Sequence, residues 1–158
     1  MKFLVTKELT QTPYLKYLIA VLSFFILVFL QTDIALHHTQ IGLVLEEAVA
    51  TLLGNEETFE EPILLSTLML QVHIDLFLSM FILLTLLAMY IRLFGKEKST
   101  KTWIHLLFTL GLASPLLLLL AFMLKMQVFI MLWLVVFFLW HSFAFYLALK
   151  IIWKLFKL

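Results

Sequence analysis

Four long apolar runs dominate this 158-residue sequence. They cover about residues 14–30, 63–93, 103–124 and 128–149. Each run meets the length of about 17–25 residues that an α-helix needs to cross a bilayer. The strands of a membrane barrel are shorter and alternate in polarity, which these continuous runs do not. The sequence therefore predicts an all-α fold, a four-transmembrane-helix bundle.

The composition supports a membrane protein and excludes several other classes. Hydrophobic residues make up 64% of the chain and charged residues 13%, against about 45–50% and 25% in soluble domains. A soluble domain of this size could not bury so much apolar surface. The net charge of +1 gives no field for a nucleic-acid partner, and the absence of cysteine excludes disulfides and thiolate metal sites. We expect residues 1–158 to form a single integral membrane domain in contact with the lipid bilayer.

The basic residues predict the orientation of the bundle. Those on one side are Lys2, Lys7, Lys16, Arg92, Lys96, Lys98, Lys101, Lys150, Lys154 and Lys157. Only Lys125 falls on the opposite side, which instead carries most of the carboxylates. The positive-inside rule then predicts that both termini are cytoplasmic and that residues 31–61 are exterior. A bacterial inner membrane fits this arrangement.

The predicted exterior segment has a helical pattern of its own. Ile41, Leu45, Ala48 and Leu52 recur at the spacing of one helix face. Glycine and asparagine at 54–55 would end that helix. We therefore expect an exterior amphipathic helix within residues 34–53, between helices 1 and 2 of the bundle.

The same segment contains two adjacent histidines among carboxylates. His37 and His38 lie close in sequence to Asp33 and to a run of glutamates. Histidine and carboxylate groups can hold metal ions, so His37 and His38 are candidate metal ligands. The spacing matches no specific metal motif, and surface histidines in a solvated acidic loop are the alternative.

Two histidines occur deep inside the predicted spans. At about 1.5 Å per residue, His73 lies about 15 Å and His141 about 20 Å from the exterior face. Two imidazoles at similar depth on different helices could serve as the axial ligands of haem b. The alternatives are structural histidines hydrogen-bonded within the bundle, or parts of a proton or ion path.

A polar stripe follows the second span. Gln71, Asp75 and Ser79 are spaced four residues apart and so share one face, whereas His73 points elsewhere. An ionisable residue inside a span is by default a candidate functional site. Asp75 could relay protons or serve a quinol site, or its hydrogen-bonded carboxyl could fix the packing against a neighbouring helix or subunit.

The four-span layout with His73 and His141 resembles the small four-helix cytochrome b subunits of membrane oxidoreductases. The resemblance implies haem b held between helices and electron exchange with quinone or a redox partner subunit. It rests on topology and residue type. A two-haem member needs four ligands, and this sequence has only two at matched depth, so the resemblance implies at most one haem.

These features predict a haem b-binding electron-transfer protein or subunit with ligation by His73 and His141. One alternative is an ion or proton channel or transporter component that uses Asp75 and the histidines. Another is a structural or assembly subunit of a membrane complex. The sequence has no self-contained catalytic motif, so an enzymatic role would be that of an oxidoreductase subunit. A bundle this small could also form homo-oligomers.

Overall fold

A computed structural model of the chain describes residues 13–56 and 59–157. These residues form five helices: α1 (Pro13–Gln40), α2 (Leu45–Leu53), α3 (Leu65–Phe94), α4 (Thr100–Leu124) and α5 (Gln127–Phe156). All but α2 are long and apolar enough to cross a membrane. The predicted all-α fold with four long apolar helices is confirmed, and it indicates an integral membrane protein. Lys2, Lys7 and Glu57, which entered the predicted orientation, lie outside the described residues.

The breaks between helices follow from local backbone chemistry. Gly42 and Gly54 flank α2 with φ angles of 89° and 84°, a region that glycine adopts without steric cost. Lys125 ends α4 in the left-handed conformation with a φ of 52°. Pro13 begins α1, where its fixed φ suits the first turn and its missing N–H costs no hydrogen bond.

Helix α5 is the packing centre of the bundle because it contacts each of the other four described helices. The connections from α3 to α4 and from α4 to α5 are short, and short connections make successive helices antiparallel neighbours. The outward faces carry exposed apolar side chains such as Phe24, Phe77 and Val135. Such surfaces suit lipid rather than water.

The buried apolar side chains form two separate clusters along the length of the bundle. One contains Leu30, Ile82, Leu107 and Trp140. The other contains Ile41, Val72, Leu118 and Phe137. Along α1, α3, α4 and α5 the chain passes from one cluster to the other. The buried polar residues of these helices lie mainly at that transition: His37, Gln71, Asp75, Ser79, Ser114 and His141.

The main departure from the predicted organisation concerns the end of the first long helix. Helix α1 continues past residue 30 to Gln40, so residues 31–40 belong to it and not to a separate exterior segment. The predicted helix within residues 34–53 is reduced to α2, whose Ala48 and Leu52 are buried. The polar residues after Leu30 resembled the end of a span, but the interior of the bundle satisfies the hydrogen bonding of several of them. That the segment lies outside a membrane stays a prediction.

We predict that Gly111→Val destabilises the bundle. A Cβ atom at Gly111 would lie 2.8 Å from Leu83 Cδ1 and 3.3 Å from Trp140 Cε3, so α4 could no longer approach α3 and α5 as closely. Overpacking of this kind costs about 1–3 kcal/mol. The measurement is the melting temperature in mild detergent. Leu116→Phe enlarges an exposed side chain of the same helix and should leave that temperature unchanged; equal shifts for both variants would contradict the close packing.

Candidate functional site

Four ionisable side chains meet inside the bundle at the level between its two apolar clusters. We call them the interior cluster: Asp33 and His37 on α1, Asp75 on α3 and His141 on α5. His37 is 2% exposed and His141 3% exposed. Ionisable groups in such positions are costly and usually face the interior of a membrane protein for a functional reason. The interior cluster is therefore the candidate functional site.

His37 connects α1 to α3. Its Nδ1 lies 3.0 Å from the backbone carbonyl oxygen of Asp33, and its Nε2 lies 3.1 Å from Asp75 Oδ2. The other carboxyl oxygen of Asp75 accepts a hydrogen bond of 2.9 Å from Gln71 Nε2. Both oxygens of the Asp75 carboxyl thus have hydrogen-bond partners, His37 on α1 and Gln71 on α3.

His141 makes the equivalent connection from α5 to α1. Its Nδ1 lies 2.8 Å from the backbone carbonyl oxygen of Phe137, and its Nε2 lies 2.9 Å from Asp33 Oδ2. The remaining oxygen of Asp33 is 3.6 Å from His37 Nδ1. Asp33 therefore lies between the two imidazoles, and the interior cluster is continuous across three helices.

The two backbone contacts fix one proton on each imidazole. A carbonyl oxygen can only accept, so each histidine must carry its hydrogen on Nδ1 and donate it there. Each Nε2–carboxyl contact then needs one further proton, which resides on the imidazole or on the carboxyl. In either case the His37–Asp75 pair and the His141–Asp33 pair are each neutral overall. Neutral pairs avoid the large cost of an uncompensated charge in an apolar interior.

Helical spacing and one aromatic ring position the two imidazoles. Asp33 and His37, like Phe137 and His141, are four residues apart and so lie on the same helix face. The Phe137 ring centre is 4.8 Å from that of His37 and 4.1 Å from that of His141. The ring fills the space beside both imidazoles, so the histidines have little freedom to rotate.

A small cavity adjoins the interior cluster. It is lined by all four of its residues together with Ser79, Ser114, Pro115, Phe137 and Trp140. Its volume is about 10 Å³, close to the minimum that one water molecule needs. Asp33, His37 and Asp75 each provide one potential ligand atom, and these three atoms lie within 4.8 Å of one another. This group could hold a metal ion.

The structure separates the two histidines that were predicted to ligate haem. His141 is buried and both of its ring nitrogens have hydrogen-bond partners, whereas His73 lies on the exposed face of α3. Ligation by both would require His73 to face the interior. His105, on α4, is also exposed. Haem b binding stays a prediction that the geometry of these residues does not favour.

The other predicted site residues also divide into buried and exposed ones. Gln71, Asp75 and Ser79 are all buried on one face of α3, as their spacing indicated. Of the two candidate metal ligands, His37 lies with Asp33 and Asp75. His38 points outward with 60% of its side chain exposed, and its Nδ1 lies 4.0 Å from Glu47 Oε2.

Asp33 is the residue of the interior cluster that the sequence reasoning missed, because it was assigned to the exterior acidic side. A usable signal was present. Leu30, Asp33, His37 and Ile41 recur at helical spacing, and Leu30 and Ile41 are fully or almost fully buried. Continuing the helix through this stripe would have placed Asp33 beside His37 in the interior.

Comparison of the chain with protein-family models, with curated proteins and with solved structures gives no match. The function must therefore be inferred from the interior cluster itself.

Adjacent histidines provide a matched test of the interior cluster. His37→Ala removes the partner of Asp75 Oδ2, and a buried acceptor left unsatisfied costs about 1–3 kcal/mol. We expect a clear fall in melting temperature in mild detergent. His38→Ala changes an exposed neighbour of the same type and should stay within about 0.5 kcal/mol of the parent. Equal stability of the two variants would contradict the buried position of His37.

Proposed function

We propose that this chain is a component of a cation pathway across a membrane, in which the interior cluster is the cation-binding site. One observation carries the proposal: two imidazole–carboxyl pairs form a continuous polar group across α1, α3 and α5, between the two apolar clusters of the bundle. Carboxylates and imidazoles in such positions typically mark ion pathways and proton relays.

A purely structural role explains the interior cluster less well. Replacing a buried ion pair by apolar residues of similar volume is often neutral or stabilising. If this part of the bundle served only packing, it could therefore contain leucine or phenylalanine, as the two apolar clusters on either side of it do. The alternative of a structural or assembly subunit has no comparable feature in its favour among the described residues.

Polar groups lead from the interior cluster towards the surface of the bundle. A groove between α1 and α5, of about 310 Å³, is lined by four apolar side chains together with the polar side chains of Gln31, His141 and Ser142. Ser79 and Ser114 line the small cavity beside the imidazoles. These side chains offer oxygen and nitrogen atoms that could replace part of the hydration shell of a cation as it enters or leaves.

The haem hypothesis would use His73 and His141, and the exposure of His73 argues against it. The cation pathway instead uses four residues that contact one another. It also includes His37, which a haem bound by His73 and His141 leaves without a role. We therefore prefer the cation pathway.

We predict that the purified chain, reconstituted into liposomes, conducts cations and that the interior cluster is required. The readouts are a trapped pH indicator for protons and trapped fluorescent indicators for divalent cations. Asp75→Asn, which keeps the shape of the side chain, should reduce the flux by at least about tenfold, the equivalent of 1.4 kcal/mol. His73→Ala, on the exposed face of the same helix, is the matched control and should retain the flux.

Two outcomes would contradict the proposal. The first is a folded wild-type protein whose liposomes are no more permeable than empty ones to any of these cations. The second is a Soret band in the visible spectrum of the same preparation that disappears in both His73→Ala and His141→Ala. The second result would instead favour the haem-binding electron-transfer function.

We further propose that both termini are cytoplasmic, that α2 lies outside, and that the membrane is a bacterial inner membrane. The chain has no cysteine, so single cysteines can report the orientation without background. Glu47→Cys, in α2, should react with a membrane-impermeant maleimide on intact bacterial cells. Lys98→Cys, in the connection between α3 and α4, should react only after permeabilisation. The reverse pattern would invert the proposed orientation; both side chains are exposed.

A further inference from the structure

The arrangement of the two imidazoles is the one that metal-binding histidines adopt. Each donates its Nδ1 hydrogen to a backbone carbonyl oxygen, at 3.0 Å for His37 and 2.8 Å for His141. This contact fixes the tautomer and directs Nε2 away from the helix backbone. Both Nε2 atoms are directed at carboxyl oxygens, so two potential nitrogen ligands and two potential oxygen ligands are already gathered.

The carboxyls are oriented as well. Gln71 donates to Asp75 Oδ1, which leaves Oδ2 facing His37. Ligating carboxylates in metal sites are commonly held by such outer hydrogen bonds. One ligand atom each from Asp33, His37 and Asp75 lie within 4.8 Å of one another, and His141 Nε2 is 2.9 Å from Asp33 Oδ2. An ion bound by those three atoms would lie beside His141 Nε2 as well, because His141, which is outside the group of three, contacts Asp33 directly.

The charge of the interior cluster selects a divalent ion. Each imidazole–carboxyl pair holds one shared proton and is neutral. Replacing both protons by one doubly charged ion leaves two neutral imidazoles, two carboxylates and the ion, with no net charge. A singly charged ion would replace one proton and leave the other pair joined by its hydrogen bond, so only a doubly charged ion uses both pairs without adding charge to an apolar interior.

The donor atoms and the available space select the class of metal. Ca²⁺ takes six to eight oxygen ligands, and Mg²⁺ keeps several bound waters. The cavity of about 10 Å³ has room for at most about one water. Imidazole nitrogen suits zinc, copper, iron and nickel, and two histidines with two carboxylates make a four-coordinate set.

We propose that Asp33, His37, Asp75 and His141 bind one divalent transition-metal ion, and that binding releases the two protons of the His–Asp pairs. The ion forms bonds to both Nε2 atoms and to both carboxylates, while the two protons leave to solvent, so charge balances. This inference names the cation of the pathway proposed above. It rests on that proposal for its transport role but not for binding.

The test is Zn²⁺ binding to the full chain in mild detergent, followed by calorimetry in two buffers of different ionisation enthalpy. We expect one Zn²⁺ per chain and two protons released for each ion, one from each pair. Co²⁺ provides a second probe, because four-coordinate Co²⁺ has strong visible absorption bands that hexahydrated Co²⁺ lacks. Both readouts are independent of transport.

Variants show whether the ion occupies the interior cluster. Asp33→Asn and Asp75→Asn keep the side-chain shape and should each weaken Zn²⁺ binding by at least about tenfold. His38→Ala and His73→Ala are controls, because both histidines are exposed and should leave the affinity unchanged. Melting curves of each variant verify folding before binding is compared.

Three outcomes would overturn the inference: no Zn²⁺ binding by folded protein, binding without proton release, or binding lost in His38→Ala but retained in both asparagine variants. The last would assign the ion to the surface pair of His38 and Glu47, whose atoms are 4.0 Å apart. If Zn²⁺ does not bind but proton flux depends on Asp75, only the metal inference fails. If Zn²⁺ binds and no cation crosses the membrane, the pathway fails and the binding site stands.

Discussion

Two imidazole–carboxyl hydrogen bonds join three helices in the interior of this bundle. His37 on α1 bonds to Asp75 on α3, and His141 on α5 bonds to Asp33 on α1. Each bond crosses between helices, and each satisfies groups that would be expensive to leave unpaired in an apolar environment. A slide of one helical turn, about 5.4 Å, would break them. The two bonds therefore fix the register of α1 against α3 and α5.

The rest of the architecture accommodates this polar level. Two apolar clusters enclose it along the bundle, and Phe137 lies against both imidazoles. Helix α5 contacts every other described helix and presents His141 near its middle, at about 20 Å from its first residue. The same helix therefore organises both the packing of the bundle and the candidate site.

The proposed functions follow from the charge of the interior cluster. Each His–Asp pair is neutral with one shared proton, and the proposed exchange of these protons for a cation would leave no net charge in the bundle. A bis-histidine haem site would need two inward-facing imidazoles with free Nε2 atoms, and His73 is exposed. The haem site and the cation pathway differ in which side chains face the interior. The depth of a residue along its helix, which is all that the sequence provides, does not determine this.

The sequence by itself determined the helical class, the four long apolar helices and the buried face of Gln71, Asp75 and Ser79, because apolar length and helical periodicity are local properties. It also identified His37 and His141 as candidates. Only the tertiary structure decided that α1 continues to Gln40, that Asp33 lies between two imidazoles, and that His73 lies on the outward face of α3. The sequence alone does not distinguish a polar residue that ends a helix from one that continues the helix and lies inside the bundle. Its partners come from helices far along the chain, and they alone stabilise it there.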